Sequence, residues 1–153
     1  MLKAGELGPE FKLRDDTGRF RSLAGLLRTG SAVVYFYPAD FSPGCTRQAC
    51  ALRDLQTDLK NAHLRVIGIS PQSPESHAKF RKEYELPFTL LSDEDKQVIK
   101  LYDVNGPLGI GVRRASYLID KKRRICDVVV ADLMIGQHEE FVRKAIALSA
   151  TTS

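Results

Sequence analysis

Two short apolar runs constrain the fold of this chain more than any other feature. Residues 31–38 (SAVVYFYP) and 64–70 (LRVIGIS) are rich in β-branched and aromatic residues, and in each run both alternating sets of side chains are largely apolar. Strands of this kind are covered on both faces, as the central parallel strands of α/β proteins are. Parallel strands need a crossover connection, and the segment between the two runs is long enough to hold a helix. The pattern therefore predicts a parallel pair joined by a helix.

The remaining elements follow from capping residues and further periodic segments. Ser73 with Pro74 marks one helix start, and Ser92 followed by acidic residues marks another. The segment PFTLL lies between them as a strand, ASYLID and RRICDVVV flank a turn as a hairpin, and QHEEFVRKAIAL has the pattern of an amphipathic helix. An earlier hairpin is expected around DDTG. These elements predict the α/β class, with a mixed central sheet flanked by helices and an N-terminal β-hairpin.

Length and hydropathy limit the organisation of the chain. A length of 153 residues fits one hydrophobic core, which predicts a single domain over residues 1–153 with disorder confined to the tail SATTS. The sequence does not open with a basic segment followed by an apolar stretch, and no apolar run reaches about 18 residues. Neither export nor a membrane partner is therefore expected. The predicted location is cytoplasmic, where thiols stay reduced unless they are catalytic or sensing.

The basic character of the chain raises the question of a nucleic-acid partner. The net charge is +4 and the isoelectric point is near 9.0. The densest basic cluster, residues 121–124 (KKRR), falls in the turn expected between two strands. Aromatic residues are not interleaved with the basic ones as stacking platforms for bases would require. We therefore expect no nucleic-acid partner.

Two of the three cysteines lie close together in the predicted crossover helix. Ser42 suits the residue before a helix and Pro43 its first position, so Cys45 falls in the first turn, where free backbone N–H groups and the helix dipole favour a thiolate. A rotation of about 100° per residue turns Cys45 toward the core and Cys50 toward solvent. Their Cα atoms would lie about 8.7 Å apart, which exceeds the limit of about 7 Å for a disulfide. A static bridge is not expected, whereas a bridge formed after local unwinding stays open.

The stretch PADFSPGC resembles the active-site pattern of the peroxiredoxins, with Pro38, Ser42 and Cys45 at the positions of its proline, its threonine or serine, and its cysteine. The longer string YFYPADFSPGCTRQACALRDL is similar to the bacterioferritin comigratory protein, or peroxiredoxin Q, branch, in which a second cysteine follows five residues after the first. GIS, LLSDED and RRASYLID extend the resemblance over nearly the whole chain. The resemblance implies a thioredoxin-like fold with an added N-terminal hairpin.

The function that the resemblance implies is that of a thiol-dependent peroxidase. Cys45 would be the peroxidatic cysteine, which attacks the O–O bond of hydrogen peroxide or an organic hydroperoxide and becomes a sulfenic acid. Cys50 would be the resolving cysteine, which forms an intramolecular disulfide that thioredoxin or a similar dithiol reductant then reduces. Relatives of this branch are often monomeric, so a monomer is expected, with a weak dimer as the alternative. No cofactor is implied.

The same resemblance assigns supporting roles near the cysteine. In the family an arginine from a late strand approaches the cysteine, and RRASYLID gives this role to Arg114, with Arg113 as the alternative. Pro38 would shield the pocket from water, and Ser42 would hold the peroxide through its hydroxyl group. The chain departs from the family pattern at Ser42, where threonine is more usual, and at Gln48, where many relatives carry glutamate.

Two other functions remain open for the cysteine pair. A thiol-disulfide exchange protein acting on other proteins is one, although the chain lacks the C-x-x-C motif of thioredoxin. A peroxide-sensing redox switch without turnover is the other. A turnover assay with a reductant separates the switch from the enzyme, because a switch needs to react only once.

The third cysteine and the histidines suggest no second site. Cys126, within RRICDVVV, is expected in the strand core rather than as a resolving thiol. His63, His77 and His138 are scattered, with none of the short spacings typical of zinc ligands. We therefore predict no metal.

Overall fold

Seven strands form one mixed sheet, and helices pack on both of its faces. The computed structural model describes the backbone of residues 2–152 and the side chains of residues 2–149, so the first and last residues of the predicted domain lie outside the described part. The elements in chain order are β1 (Lys12–Asp15), β2 (Phe20–Ser22), α1 (Leu23–Leu26), β3 (Ala32–Phe36), α2 (Pro43–Asp54), α3 (Gln56–Asn61), β4 (Arg65–Ser70), α4 (Pro74–Tyr84), β5 (Thr89–Ser92), α5 (Gln97–Leu101), β6 (Ala115–Ile119), β7 (Ile125–Val130) and α6 (Gly136–Thr152). The strand order across the sheet is β2-β1-β5-β4-β3-β6-β7.

The two apolar runs form the parallel centre of the sheet, as the sequence predicts. β3 pairs in parallel with β4, and β4 pairs in parallel with β5. β6 runs antiparallel to β3 and forms a hairpin with β7, while the β1–β2 hairpin attaches antiparallel to β5. The predicted α/β class, mixed sheet and N-terminal hairpin are confirmed.

Alternation along β3 divides the interior into two cores. Val33 and Tyr35 belong to the core under α2, α3, α4 and α6, whereas Val34 and Phe36 belong to the core under α1 and α5. Gly68 is the neighbour of Tyr35 on β4, and a Cβ atom there would lie 2.9 Å from Cζ of the tyrosine ring. Glycine at this position therefore leaves room for the Tyr35 ring to lie over the adjacent strand.

One predicted helix start is wrong. Ser92 is the last residue of β5 rather than an N-cap, and α5 begins only at Gln97. The reason is that the buried Asp93 carboxylate accepts the backbone N–H groups of Val98 and Ile99, at 3.2 and 2.7 Å. Asp93 thus satisfies the free donors of the helix start from outside the helix, which leaves Ser92 to pair within the sheet.

The prediction that Cys126 lies in the strand core is also wrong. Cys126 is in β7 but is exposed. The register between β6 and β7 shifts here, because Ile119 pairs with Ile125 and Leu118 pairs with Asp127. Cys126 is therefore the extra residue of a β-bulge on the edge strand, and its side chain is not covered.

The last helix covers much of the tail in which disorder was the expectation. Helix α6 extends to Thr152, and Ser153 lies outside the described residues. No helix within the described residues is both long enough and apolar enough to pass through a membrane.

The sheet register brings two distant segments to the same edge. Phe36, the last residue of β3, pairs with Ala115, the first residue of β6. The chain that leaves β3 toward α2 therefore starts beside the chain that enters β6 from Arg114. Cys45 and Arg114 both lie in this neighbourhood.

Candidate active site

Cys45 lies in the first turn of α2, just beyond the carboxyl end of β3. Pro43 is the first helical residue, and Ser42 precedes it with extended backbone angles. The Cys45 side chain is 1% exposed, and its thiol is free. The first N–H groups of a helix have no partner within the helix, so this position favours an anionic sulfur.

Arg114 brings a positive charge to the Cys45 sulfur. Its Nη1 donates to Cys45 Sγ at 3.2 Å and to Gln48 Oε1 at 2.9 Å, and the residue is only 7% exposed. A Cβ atom at Gly44 would lie 3.2 Å from Arg114 Nη2 and 2.8 Å from Ile135 Cδ1. The glycine before the cysteine therefore allows the guanidinium to approach the start of α2.

Asp132 holds the segment that carries Arg114. Its carboxylate accepts the backbone N–H of Arg114 at 2.9 Å and the Arg113 side chain at 3.0 Å. Burial alone would raise the pKa of Asp132, but these hydrogen bonds and the two arginines lower it overall. Because the Arg113 guanidinium pairs with Asp132, Arg114 is the arginine that contacts Cys45.

Several polar groups around Cys45 have no hydrogen-bond partner within the described residues. They are the Tyr35 hydroxyl, the Thr46 hydroxyl and the Gln48 Nε2 amide. Burial, with a smaller contribution from Cys45, raises the pKa of Tyr35 well above its ordinary value, so this hydroxyl keeps its proton. Such buried, unpaired groups cost about 1–3 kcal/mol each.

Pro38 and Ser42 lie in the segment between β3 and α2. Pro38 lines an open cavity of about 610 Å³ together with Arg113, Arg114 and Asp132. The Ser42 hydroxyl donates to the Ala39 carbonyl at 3.0 Å and does not cap the helix, although Ser42 occupies the N-cap position. Its oxygen lone pairs are thus not used to cap the helix.

Cys50 lies in the same helix as Cys45. It is half-buried and free. Because α2 is continuous from Pro43 to Asp54, the two Cα atoms lie about 8.7 Å apart by helix geometry. The folded helix therefore keeps the two thiols from bonding.

A buried polar network fixes the segment before α2 to α4. Asp40 accepts the Tyr37 hydroxyl at 2.6 Å and the Ser76 hydroxyl at 2.7 Å, and it contacts His77 Nδ1 at 2.7 Å. His77 Nε2 lies 3.0 Å from the Leu91 carbonyl oxygen. Asp40 and His77 are both buried, and no feature of the sequence predicted their pairing.

His138 forms a second buried contact on the opposite side of Cys45. Its Nε2 lies 2.9 Å from the Ala131 carbonyl and its Nδ1 lies 2.8 Å from the Ser116 hydroxyl. Burial, with a smaller effect from Arg114, lowers the pKa of His138. The ring is therefore neutral, with Nε2–H donating to the carbonyl and Nδ1 accepting from Ser116. Within residues 2–149, no group of three or more His, Cys, Asp or Glu side chains could hold a metal ion.

The cysteine in the first turn of α2, its arginine neighbour and the mixed sheet beneath them can now be compared with known proteins. The chain belongs to the AhpC/TSA family, whose model matches residues 4–128. Its relatives within the family include peroxiredoxins of the Q and Bcp groups. Peroxiredoxin Bcp of Escherichia coli is 40% identical over 147 residues, which cover 92% of this chain and 93% of that protein.

Two further comparisons extend this relationship. The chloroplastic peroxiredoxin Q of Populus jackii is 47% identical over 122 residues, which cover 79% of this chain and 57% of that protein. The chain thus spans little more than half the length of the plant relatives that it matches. The crystal structure of peroxidoxin BcpB from Mycobacterium tuberculosis superposes with a TM-score of 0.90 at 33% identity, covering 100% of this chain and 99% of that one. The thioredoxin-like peroxiredoxin fold is therefore confirmed.

Sequence reasoning missed the groups that act through tertiary contacts. Asp132 is separated from Arg114 by the whole of the β6–β7 hairpin, and Asp40 is separated from His77 by α2, α3 and β4. The available signals were a carboxylate inside the PADFSPGC motif and a histidine on the apolar side of an amphipathic helix. Neither signal identifies the residue with which the side chain pairs, because the pairing depends on how the helices pack.

Proposed function

We propose that this protein is a thiol peroxidase that reduces hydrogen peroxide and organic hydroperoxides through Cys45. The observation that carries the proposal is the 3.2 Å contact from Arg114 Nη1 to the buried Cys45 Sγ. A guanidinium N–H donated to sulfur stabilises the thiolate, which is the nucleophilic form of cysteine. The family relationship to the peroxiredoxins supports the same chemistry.

In the proposed first step, the Cys45 thiolate attacks one oxygen of the peroxide. An S–O bond forms and the O–O bond breaks, and the second oxygen leaves with the electron pair and takes a proton to give water or an alcohol. The sulfur is oxidised to a sulfenic acid. Arg114 would stabilise the charge that moves from sulfur to oxygen, Ser42 would bind the peroxide through its hydroxyl, and Pro38 would limit the entry of water.

In the proposed second step, Cys50 resolves the sulfenic acid. The Cys50 thiolate attacks Cys45 Sγ, so that an S–S bond forms, the S–O bond breaks, and the oxygen leaves as water after taking a proton. The helix geometry requires α2 to unwind before this step. Unwinding would expose the Thr46 hydroxyl and the Gln48 Nε2 group, which are buried without a hydrogen-bond partner among the described residues, and so part of its cost is offset.

Thioredoxin or a similar dithiol would reduce the disulfide and return both thiols. A thiol of the reductant attacks one sulfur, and a second thiol completes the exchange, so the reductant leaves as a disulfide. The monomeric state and the cytoplasmic location stay predictions. The plant relatives are named as chloroplastic, which makes the location a separate question for each protein.

Peroxide turnover in the wild type and in Cys45→Ser and Cys50→Ser variants tests this function. With thioredoxin, thioredoxin reductase and NADPH, we expect steady peroxide consumption by the wild type and none by Cys45→Ser. Cys50→Ser should consume one equivalent of peroxide and then stop, because the first oxidation needs Cys45 alone.

Two outcomes would contradict the proposal. A wild type that reacts once and does not turn over with any dithiol reductant would favour a redox switch. A wild type that reduces insulin disulfides faster than it consumes peroxide would favour thiol-disulfide exchange on proteins.

A further inference from the structure

We propose that Asp40 and His77 are a positioning pair for the peroxidase reaction, an inference that rests on the proposed function. The catalytic loop, residues 37–42, joins β3 to α2 and carries Pro38 and Ser42. Asp40 and His77 fasten this loop to α4 and so fix the groups that would receive the peroxide. Neither residue is within hydrogen-bond distance of Cys45, so the pair acts through the loop.

The hydrogen bonds of this pair define where its protons lie. His77 Nε2 faces only a carbonyl oxygen, that of Leu91 at 3.0 Å, so this nitrogen carries a proton and donates it. A single further proton then lies between His77 Nδ1 and Asp40 Oδ2, which are 2.7 Å apart. With that proton the pair has no net charge, which suits two side chains that are both shielded from water.

Two hydroxyl groups complete the environment of the Asp40 carboxylate. Tyr37 donates to Oδ1 and Ser76 donates to Oδ2. Burial raises the pKa of Tyr37 well above its ordinary value, so its hydroxyl keeps the proton that it donates. Every oxygen of this buried carboxylate therefore has a partner, with Tyr37 bonding to it from within the loop and Ser76 and His77 from α4.

The Asp40–His77 pair, called the clamp below, holds in place the residue that follows Asp40. Phe41 has a φ angle of 66°, a left-handed conformation that is unfavourable for a bulky side chain. Its ring packs against Phe80 and Tyr84 of α4, with centroid distances of 5.1 and 6.3 Å. A hydrogen-bonded contact at Asp40 and an aromatic contact at Phe41 thus hold adjacent residues against α4. The next residue is Ser42, whose hydroxyl position depends on this backbone conformation.

If the clamp positions the loop, its loss should affect the rates of two reactions of Cys45 differently. Iodoacetamide needs only an accessible thiolate, whereas a peroxide also needs the loop groups in place. Displacement of reacting groups by about 1 Å costs up to about 100-fold in rate. Loss of the clamp should therefore slow oxidation by peroxide while leaving alkylation nearly unchanged, because Arg114 approaches Cys45 from the other side.

The histidine can be replaced by two amides that keep different halves of its contacts. His77→Gln places an amide near the Nε2 position and loses the hydrogen-bond donor to Asp40. His77→Asn places an amide near the Nδ1 position and keeps a donor to Asp40. In stopped-flow measurements, we expect oxidation of Cys45 by hydrogen peroxide to slow about 10- to 100-fold in His77→Gln. His77→Asn should recover most of the wild-type rate. Alkylation by iodoacetamide at pH 7 should change by less than about threefold in either variant, since the helix start and Arg114 are untouched.

Hydrogen exchange supplies a readout that needs no peroxide chemistry. The amides of residues 39–42 should exchange faster in His77→Gln than in the wild type, at a temperature where both are folded. His138→Gln is the control for general destabilisation, because His138 is equally buried but its hydrogen bonds go to Ser116 and Ala131, outside the catalytic loop. It should leave exchange at residues 39–42 unchanged. Ser76→Ala removes one contact to Asp40 and serves as a milder variant if His77→Gln does not fold.

The outcomes separate this inference from the proposed function. If the wild type reacts with peroxide and His77→Gln reacts within twofold of it, with unchanged exchange in the loop, the positioning role is refuted. Parallel losses in oxidation and alkylation would likewise refute it and indicate general damage to the site. A wild type that does not react with peroxide refutes the peroxidase, whereas faster loop exchange in His77→Gln would still establish the clamp.

Discussion

The two sides of Cys45 are built from similar residues with opposite electrostatic results. On the α4 side, the Asp40 carboxylate is hydrogen-bonded to the His77 ring, so its charge is directed to a partner other than the sulfur. On the β6 side, the Asp132 carboxylate pairs with the side chain of Arg113 and with only the backbone of Arg114. The Arg114 guanidinium therefore keeps its charge for the sulfur.

The difference separates two requirements of nucleophilic catalysis. A thiolate needs an uncompensated positive charge nearby, which the β6 side supplies. A substrate needs fixed groups around it, and in our proposal the α4 side supplies them through a loop whose Asp40 is paired with His77. A carboxylate close to the Arg114 guanidinium would fix its position but would also compensate its positive charge. At that position this chain carries the neutral Gln48.

Removal of the charge on the β6 side should have the largest effect. In Arg114→Gln, we expect oxidation of Cys45 by peroxide to fall at least about 100-fold, since loss of a single preorganised donor in other active sites costs that much. Alkylation by iodoacetamide at pH 7 should also fall, unlike in the His77 variants. Rapid-quench mixing followed by mass spectrometry of Cys45, and competitive alkylation, measure the two rates.

Arg113→Gln is the matched control for this variant. Arg113 is the adjacent arginine, and its guanidinium forms an exposed pair with Asp132. Exposed pairs contribute little, so both rates should change by less than about threefold. If Arg113→Gln slowed oxidation as much as Arg114→Gln, the assignment of the charge to Arg114 would be wrong.

Substitution of Gln48 by glutamate, on the β6 side, should have an intermediate effect on the reactivity of Cys45. Gln48→Glu places a negative charge where the amide oxygen now lies, 2.9 Å from Arg114 Nη1. The carboxylate would compete with the sulfur for the guanidinium, so alkylation at pH 7 should slow by about three- to tenfold. Gln48→Met, which has a similar size and no charge, distinguishes this effect from loss of the hydrogen bond. A Gln48→Glu variant that alkylates faster than the wild type would contradict the comparison between the two sides.

The smallest expected effect concerns stability on the β6 side. Burial lowers the pKa of His138 in the folded protein, so the unfolded chain binds the proton more readily as pH falls. The stability contributed by the neutral ring is complete above about pH 6.5, the ordinary value for histidine, and is lost as pH falls toward the lowered value. The melting temperature should therefore fall less steeply between about pH 7 and pH 5 in His138→Gln than in the wild type. Equal slopes would show that the ring is not held in its neutral form.

Local patterns in the sequence determined much of the fold. The apolar runs at residues 31–38 and 64–70 give the parallel centre because only strands covered on both faces need apolar residues at every position. Ser73 caps α4 through the backbone N–H of Ser76, as local spacing predicts. Ser92 and Cys126 were mispredicted because their environments depend on a distant carboxylate contact and a strand register, neither of which has a local signal.

The same division applies to the site. The sequence by itself placed Cys45 at the start of a helix and Cys50 on the same helix, because helix geometry depends only on spacing along the chain. Only the tertiary structure decided that Arg114 rather than Arg113 contacts the sulfur, and that Asp40 finds His77 on α4. These contacts join segments that are far apart in sequence, and they exist because the sheet register and helix packing bring the segments to one edge.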